Sequence, residues 1–139
     1  LEFSDMFNLP YHSVCTTSTH DMTPLRNWWK EDPEKTQRYY NHVLQRIGEA
    51  PDECTAEIVA QIISNHLKTR SMLTIIPLQD WFAMDDSIKR KDIESERINV
   101  PANSTHYWRY RMHITLEQLL QADNLNNKIV SLIKEAGRK

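Results

Sequence analysis

The sequence predicts an α/β protein in which two parallel strands are joined by a run of helices. Residues 13–17 are small or β-branched and residues 72–76 are mostly apolar, and both runs are typical of short strands. The long helical stretch between them favours parallel pairing, because an antiparallel pair needs only a short turn. The second run is typical of a strand covered on both faces of a sheet. Two strands cannot supply that cover, so we expect them to belong to a larger sheet.

The stretch between the strands carries the start and stop signals of three helices. Thr23 and the proline after it predict the N-cap and first position of a helix over 24–30. A second helix is expected to carry apolar residues through Ile47 and to end at Gly48. A third helix is expected to begin near Thr55 and to present one apolar face.

The remaining part of the chain is predicted to be a loop followed by helices. Pro77 ends the second strand, and residues 85–97 form a charge-rich loop that we expect to be solvated for most of its length. An irregular or extended segment follows. Thr115 and Gln118 predict a capping box, which begins the terminal helices over 115–136.

Composition excludes several classes of function. With 17 basic and 19 acidic side chains the net charge is −2, which provides no strong field for nucleic acid or an anionic membrane. Two glycines are too few for a phosphate-binding loop, and the histidines lack ligand spacing, so we expect neither a cofactor nor a metal ion. Cys15 and Cys54 suit reduced thiols in a cytoplasmic protein, and Cys15 is expected to be buried and inert.

His20 and Asp21 stand at the corner between the first strand and the first helix. A carboxylate at such a corner either serves a functional site at the end of a strand or caps the helix that follows. The two residues alone leave both interpretations open.

Four motifs occur in a fixed order along the chain: "THDM" with "LRNWW", then "IIPLQDWFAMD", "ERINVPAN" and "HYWRYRMHITLEQLL". They resemble the C-terminal part of the 4-α-glucanotransferases, also called amylomaltases or disproportionating enzymes, and most of all the bacterial and plant-cytosolic branch. The resemblance runs from about Phe3 to Leu120. It implies a TIM (β/α)8 barrel with residues 13–17 as strand seven and 72–76 as strand eight. Residues 1–139 are then expected to form a single C-terminal segment of the catalytic barrel.

The resemblance also implies an activity, the retaining transfer of α-1,4-glucan segments between maltooligosaccharides or to glucose, in starch, glycogen or maltodextrin metabolism. In this family one carboxylate attacks the anomeric carbon while a carboxylic acid protonates the leaving oxygen. Asp21 matches a third catalytic carboxylate, which holds the sugar 2- and 3-hydroxyls, and His20 matches its substrate-binding neighbour. The nucleophile and the acid/base residue have no counterpart here. We therefore expect the chain to be inactive alone and to need the upstream part of the barrel as its partner.

Further residues match the family motifs or lie beside them. Asn99 and Arg97 match a motif next to the substrate, although Arg97 suits a structural ion pair equally well. Tyr107 and Trp108 either face the glucan or pack in the core. Asp80 either reaches the rim of the active site or caps the short helix after the second strand.

Other interpretations stay open for parts of the chain. Trp28 and Trp29 are expected in the core rather than in a sugar site. Residues 106–113 interleave aromatic and basic side chains, as surfaces for single-stranded nucleic acid do, although the net charge argues against that function. The remaining alternative is a non-catalytic fragment that binds glucan or that self-associates through exposed strand edges.

Overall fold

A computed structural model of the chain describes Phe3 and residues 5–139. Two strands, β1 (Val14–Thr16) and β2 (Leu73–Ile75), pair in parallel. The register places Val14 opposite Leu73 and Thr16 opposite Ile75. The predicted parallel pairing is confirmed, and both strands therefore end at the same edge of the sheet.

Helices connect and follow the two strands in the described part of the chain. Between the strands lie α1 (Leu25–Glu31), α2 (Pro33–His42) and α3 (Ala56–Leu67). After β2 come α4 (Leu78–Phe82), α5 (Leu116–Leu120) and α6 (Asp123–Glu135). Short 3-10 helices occupy Met6–Asn8 and Glu94–Glu96.

Two of the predicted helix starts have the expected side-chain caps. The Thr55 hydroxyl accepts a hydrogen bond from the backbone N–H of Ile58 at the start of α3. At the start of α5, Thr115 and Gln118 form the predicted capping box. Local sequence is sufficient at these sites because both partners of each hydrogen bond lie within one helical turn.

The first helix begins differently from the prediction. Pro24 is the N-cap of α1, and its helical residues begin at Leu25. The Thr23 hydroxyl donates to Glu31 Oε1 at 2.6 Å instead of capping the helix. The free N–H of Leu25 is bound at 2.9 Å by Asp80 Oδ1, from a distant part of the chain. The prediction of a local hydroxyl cap was therefore wrong, because a tertiary contact provides the cap.

The second helix is shorter than predicted. It ends at His42, and Ile47 is 98% exposed rather than part of an apolar face. Gln45 has a φ of +54°, a left-handed conformation that stops a helix. Gly48, with a φ of +96°, closes the turn that follows.

Helix α3 covers one face of the two-stranded sheet. Alternate residues of a strand point to opposite faces. Cys15 is buried on the α3 side, and the Thr74 hydroxyl beside it reaches the carbonyl of His66 at 3.4 Å. Ile62 of α3 is fully buried in the core, which also includes Leu125 of α6. Helix α3 therefore lies at the centre of the hydrophobic core, which also takes buried residues from α1, α2, α4 and α6.

The opposite face of the sheet is open. Val14, Leu73 and Ile75 are 56%, 48% and 57% exposed, although all three are apolar. The two strands were not expected to cover both faces by themselves, so the larger sheet stays a prediction. Apolar strand residues such as these are normally buried, but no part of residues 5–139 packs over this face of the sheet.

The described residues include no helix with the length and apolar character needed to cross a lipid bilayer.

Candidate functional site

The turn after β1 presents an exposed carboxylate at the carboxyl edge of the sheet. Asp21 has a side chain that is 53% exposed, and its Oδ1 accepts a hydrogen bond from Asn99 Nδ2 at 2.6 Å. The backbone N–H of Asn99 donates to the carbonyl of His20 at 3.1 Å. Asn99 thus binds both members of the His20–Asp21 pair, across a sequence separation of 78 residues for the side-chain contact.

His20 links this carboxylate to an aromatic ring. Its Nε2 lies 3.4 Å from Asp21 Oδ2, and its ring centroid is 4.9 Å from that of Trp108. Trp108 is 61% exposed, so most of its ring is free to contact another molecule. Four predicted site residues, His20, Asp21, Asn99 and Trp108, therefore form one cluster.

The cluster has the chemistry of a polyol-binding site. Asp21 is half-exposed and, among the described residues, receives one short hydrogen bond, so its two oxygens retain free acceptor positions. A carboxylate can accept from two neighbouring hydroxyl groups at once, and such charge-assisted bonds are stronger than neutral ones. An indole ring nearby offers an apolar surface. The alternative that Asp21 caps α1 is wrong, because Asp80 binds the N–H of Leu25 there.

A cavity of about 360 Å³ lies beside the His20–Asp21 turn, on the open face of the sheet. It is mainly apolar and its walls come from both strands and from the loops that follow them. Its lining includes Thr16, His20, Met22, Ile75, Pro77 and Ile98.

Glu96 is buried in the wall of the same cavity. Its side chain is 2% exposed, Oε1 lies 3.2 Å from Arg26 Nη1, and Oε2 has no hydrogen-bond partner in the described part of the chain. Burial raises the pKa of Glu96 to about 7, against the opposing effect of the Arg26 charge. The Gln79 amide donates to the carbonyl of Glu96 at 3.0 Å. The 85–97 loop was expected to be solvated for most of its length, and Glu96 is a buried residue within it, held there by Arg26 and Gln79.

Asp80 has neither of the two predicted roles. It is 1% exposed, so it does not reach a rim, and it accepts hydrogen bonds from the Leu25 N–H and from Thr17 Oγ1 rather than capping its own helix. The reason is that α4 begins directly after β2, which places the Asp80 carboxyl under the neighbouring β1–α1 turn. Burial raises the pKa of Asp80, and these hydrogen bonds oppose the shift.

Arg97 and Tyr107 are not brought to Asp21. Among the described residues Arg97 forms no ion pair, and its Nε is buried without a hydrogen-bond partner. The ion pair expected of Arg97 is made by the neighbouring Glu96 instead. Tyr107 is 68% exposed, and its ring contact is with the Arg109 guanidinium, 4.8 Å from the ring centroid.

The remaining predictions concern the core and metal binding. Trp29 is buried as expected, with its indole N–H donating to the carbonyl of Pro51, and Trp28 is partly buried against it. Cys15 is buried with a pKa raised by burial, which makes the thiol less reactive. Within Phe3 and residues 5–139, no group of three or more His, Cys, Asp or Glu side chains is arranged to hold a metal ion.

Three buried polar residues beneath the site were not predicted from the sequence. Arg26, Gln79 and Glu96 form a buried polar group that joins α1, α4 and the loop leading to Asn99. No periodicity predicts it, because buried polar side chains in these elements look like ordinary surface residues in the sequence. The only available signal was the position of Glu96, three residues before Asn99 in "ERINVPAN".

Comparisons with known proteins agree on one family. A family profile described as 4-alpha-glucanotransferase matches residues 2–117. The chain is similar to the 4-alpha-glucanotransferase DPE2 of Oryza sativa subsp. japonica, with 38% identity over 138 residues, which is 99% of this chain and 15% of that protein. A 4-alpha-glucanotransferase of Chlamydia trachomatis is 31% identical over 123 residues, which is 86% of this chain and 22% of that protein.

A solved structure has a similar fold over the same segment. It is an amylomaltase from Streptococcus agalactiae in complex with acarbose, with a TM-score of 0.71 and 18% sequence identity. The alignment covers 96% of this chain and 23% of that one. The chain thus spans less than a quarter of the length of each of these relatives.

Proposed function

Because the chain belongs to the 4-alpha-glucanotransferase family, we propose that it forms one part of an active site that transfers α-1,4-glucan segments from a donor chain to an acceptor sugar. The substrates are maltooligosaccharides, and the reaction retains the configuration of the anomeric carbon. This proposal rests on the family and on the polyol-binding chemistry of the His20–Asp21 turn.

The single observation that carries the proposal is the exposed Asp21 carboxylate, held by Asn99 at the carboxyl edge of the parallel strands. Parallel α/β folds and barrels keep their chemistry at that edge. We assign Asp21 to the 2- and 3-hydroxyls of the sugar whose bond is cleaved. Hydrogen bonds from those hydroxyls strengthen as the ring flattens and becomes positive, so Asp21 stabilises the transition state more than the bound substrate.

The neighbours of Asp21 have supporting roles in this proposal. Asn99 fixes the orientation of the carboxylate through its 2.6 Å hydrogen bond. His20 contributes a hydrogen bond to a sugar hydroxyl, and the exposed Trp108 ring packs on the apolar face of a glucose unit. Tyr107 and Arg97 are secondary candidates for substrate contacts, because neither touches the Asp21 cluster.

We further propose that the nucleophile and the acid/base residue lie outside these 139 residues. The two parallel strands would be strands seven and eight of a (β/α)8 barrel, and the open sheet face with Val14, Leu73 and Ile75 would be covered by the remaining strands. Three exposed apolar side chains on one face support this assignment, since such a face is normally buried. On this basis the chain alone has no turnover, and release of glucose from maltotriose by the chain alone would contradict that statement.

A chimeric enzyme tests the role of Asp21. The matching segment of the rice relative is replaced by residues 1–139, and glucan transfer is measured for the chimera, for Asp21→Asn and for Asp52→Asn, a control at an exposed carboxylate away from the site. We expect Asp21→Asn to lower kcat by about 10²-fold or more with a much smaller change in KM. The control should keep the rate of the unsubstituted chimera.

Two results would contradict the proposal. An Asp21→Asn chimera with an undiminished kcat would remove Asp21 from the reaction. An equal loss in the Asp52→Asn chimera would mean that the effect of charge removal is general rather than specific to the site.

A further inference from the structure

One buried carboxylate holds both ends of the turn that carries His20 and Asp21. Asp80 Oδ2 accepts from Thr17 Oγ1 at 2.5 Å, directly after β1, and Asp80 Oδ1 accepts from the backbone N–H of Leu25 at 2.9 Å, where α1 begins. Asp80 itself is 1% exposed and follows β2. The turn is therefore attached at its entrance and its exit to the neighbouring strand–helix junction.

The turn has further hydrogen bonds at its two ends: the Thr16 hydroxyl donates to the Ser18 carbonyl, and the Thr23 hydroxyl donates to Glu31 Oε1, both at 2.6 Å. Its internal backbone hydrogen bond runs from the N–H of Met22 to the carbonyl of Thr19 at 3.1 Å. The helix that follows has no side-chain cap from its own N-cap residue, so Asp80 provides the acceptor that this end of α1 requires. The exposed tip of the turn is hydrogen-bonded to Asn99, through the His20 carbonyl and the Asp21 carboxylate, and the His20 ring also contacts Trp108.

A carboxyl group suits this location for a geometric reason. Its two oxygens point in different directions and can accept one hydrogen bond each from Thr17 and Leu25. An amide of the same shape can also bind both, because its oxygen accepts from the Leu25 N–H while its NH₂ donates to the Thr17 hydroxyl. An alanine can bind neither.

We propose that Asp80 is a positioning residue for Asp21: by binding Thr17 and Leu25 it sets the distance and direction at which the turn presents the catalytic carboxylate to the sugar. This inference rests on the proposed function of Asp21. Asp80 touches no substrate, and its effect on the reaction is exerted through the turn.

The chimeric enzyme described above provides the test, with four substitutions. Thr17→Val removes the hydrogen bond from Thr17 to Asp80 with a side chain of nearly the same shape. Thr36→Val is the matched control, because Thr36 is a buried threonine whose hydroxyl donates to the Trp29 carbonyl at 2.8 Å, in the junction between α1 and α2. Asp80→Ala removes both hydrogen bonds to the turn, and Asp80→Asn retains its shape.

Displacing a catalytic group by about 1 Å can cost about 10²-fold in rate. We therefore expect Asp80→Ala to lower kcat by about that factor with a much smaller change in KM, and Thr17→Val to lower it by about 10-fold. Asp80→Asn should recover most of the rate lost in Asp80→Ala, and Thr36→Val should leave kcat unchanged. If Asp80→Ala does not fold, Thr17→Val against Thr36→Val decides the question.

Hydrogen exchange, measured by mass spectrometry on the same proteins, reports on the mobility of the turn without depending on enzyme activity. The peptide containing Asn99 should exchange faster in Thr17→Val and not in Thr36→Val, because the Asn99 N–H is bonded to the His20 carbonyl of the turn. Unchanged exchange in Thr17→Val, or a kcat equal to that of the unsubstituted chimera, would overturn the proposal. Faster exchange in a chimera that has no transferase activity would refute the proposed function and leave the control of the turn by Asp80 intact.

Discussion

The buried carboxyl of Glu96 makes a specific pH dependence of stability testable. Its pKa is raised from 4.5 to about 7, mainly by burial, while the Arg26 charge opposes the shift and the Asp80 charge adds to it. The native state therefore keeps the Glu96 proton between about pH 4.5 and 7, whereas the unfolded chain loses it near 4.5. Since the native state binds more protons over this range, the free energy of unfolding falls as pH rises through it.

The size of the effect follows from the two pKa values. At about 1.4 kcal/mol for each pH unit, the difference between 4.5 and about 7 corresponds to about 3 kcal/mol. This contribution is fully present below pH 4.5 and is lost above pH 7. A glutamine has the same shape, carries no titratable proton and can still accept a hydrogen bond from Arg26.

Urea unfolding of the parent chain and of Glu96→Gln, followed by tryptophan fluorescence between pH 4.5 and 8, measures the contribution. We expect the stability of Glu96→Gln relative to the parent to rise by about 3 kcal/mol across this range. Asp80 and His66, two other buried groups with shifted pKa values, are present in both proteins. Glu49→Gln, at an exposed carboxylate, is the control and should give a constant difference.

A stability difference between Glu96→Gln and the parent that does not change with pH would refute this reasoning. A difference that falls as pH rises would mean that the ion pair with Arg26 outweighs burial and that the native pKa of Glu96 is lowered rather than raised.

Three further predictions concern stability and association. Ile62→Ala, at a fully buried position of α3, should lower the free energy of unfolding by about 2–5 kcal/mol in a urea titration, and a loss below about 1 kcal/mol would contradict the assigned core. Thr115→Ala should cost about 1 kcal/mol by removing half of the capping box, with Thr115→Ser retaining most of the stability. Ile75→Lys, on the open sheet face, should change the free energy of unfolding by less than about 0.5 kcal/mol and should abolish any self-association through this face in sedimentation velocity; strong destabilisation would show that this face is buried.

Much of the architecture follows from local patterns in the sequence. The strands, the start of α3 and the capping box at Thr115 depend on residues within a few positions of one another, and all were predicted. The parallel pairing was predicted from the length of the helical stretch between the two strands. The start of α1 and the end of α2 were not predicted. At Leu25 the cap comes from Asp80, 55 residues away. At Gln45 the backbone is left-handed although the residue is not a glycine, so the sequence carries no signal for the end of α2 there.

The candidate site, like the fold, has local features that the sequence predicts and long-range contacts that it does not. The sequence by itself determined that an acidic residue follows a strand, because strand pattern, Asp21 and the following helix are contiguous. Only the tertiary structure decided that Asn99 binds Asp21, that Asp80 lies beneath the turn and that Glu96 is buried beside Arg26. These hydrogen bonds join residues 55 to 78 positions apart. Their geometry depends on how β1, β2 and the helices pack, and that packing is set by the whole core rather than by any short segment.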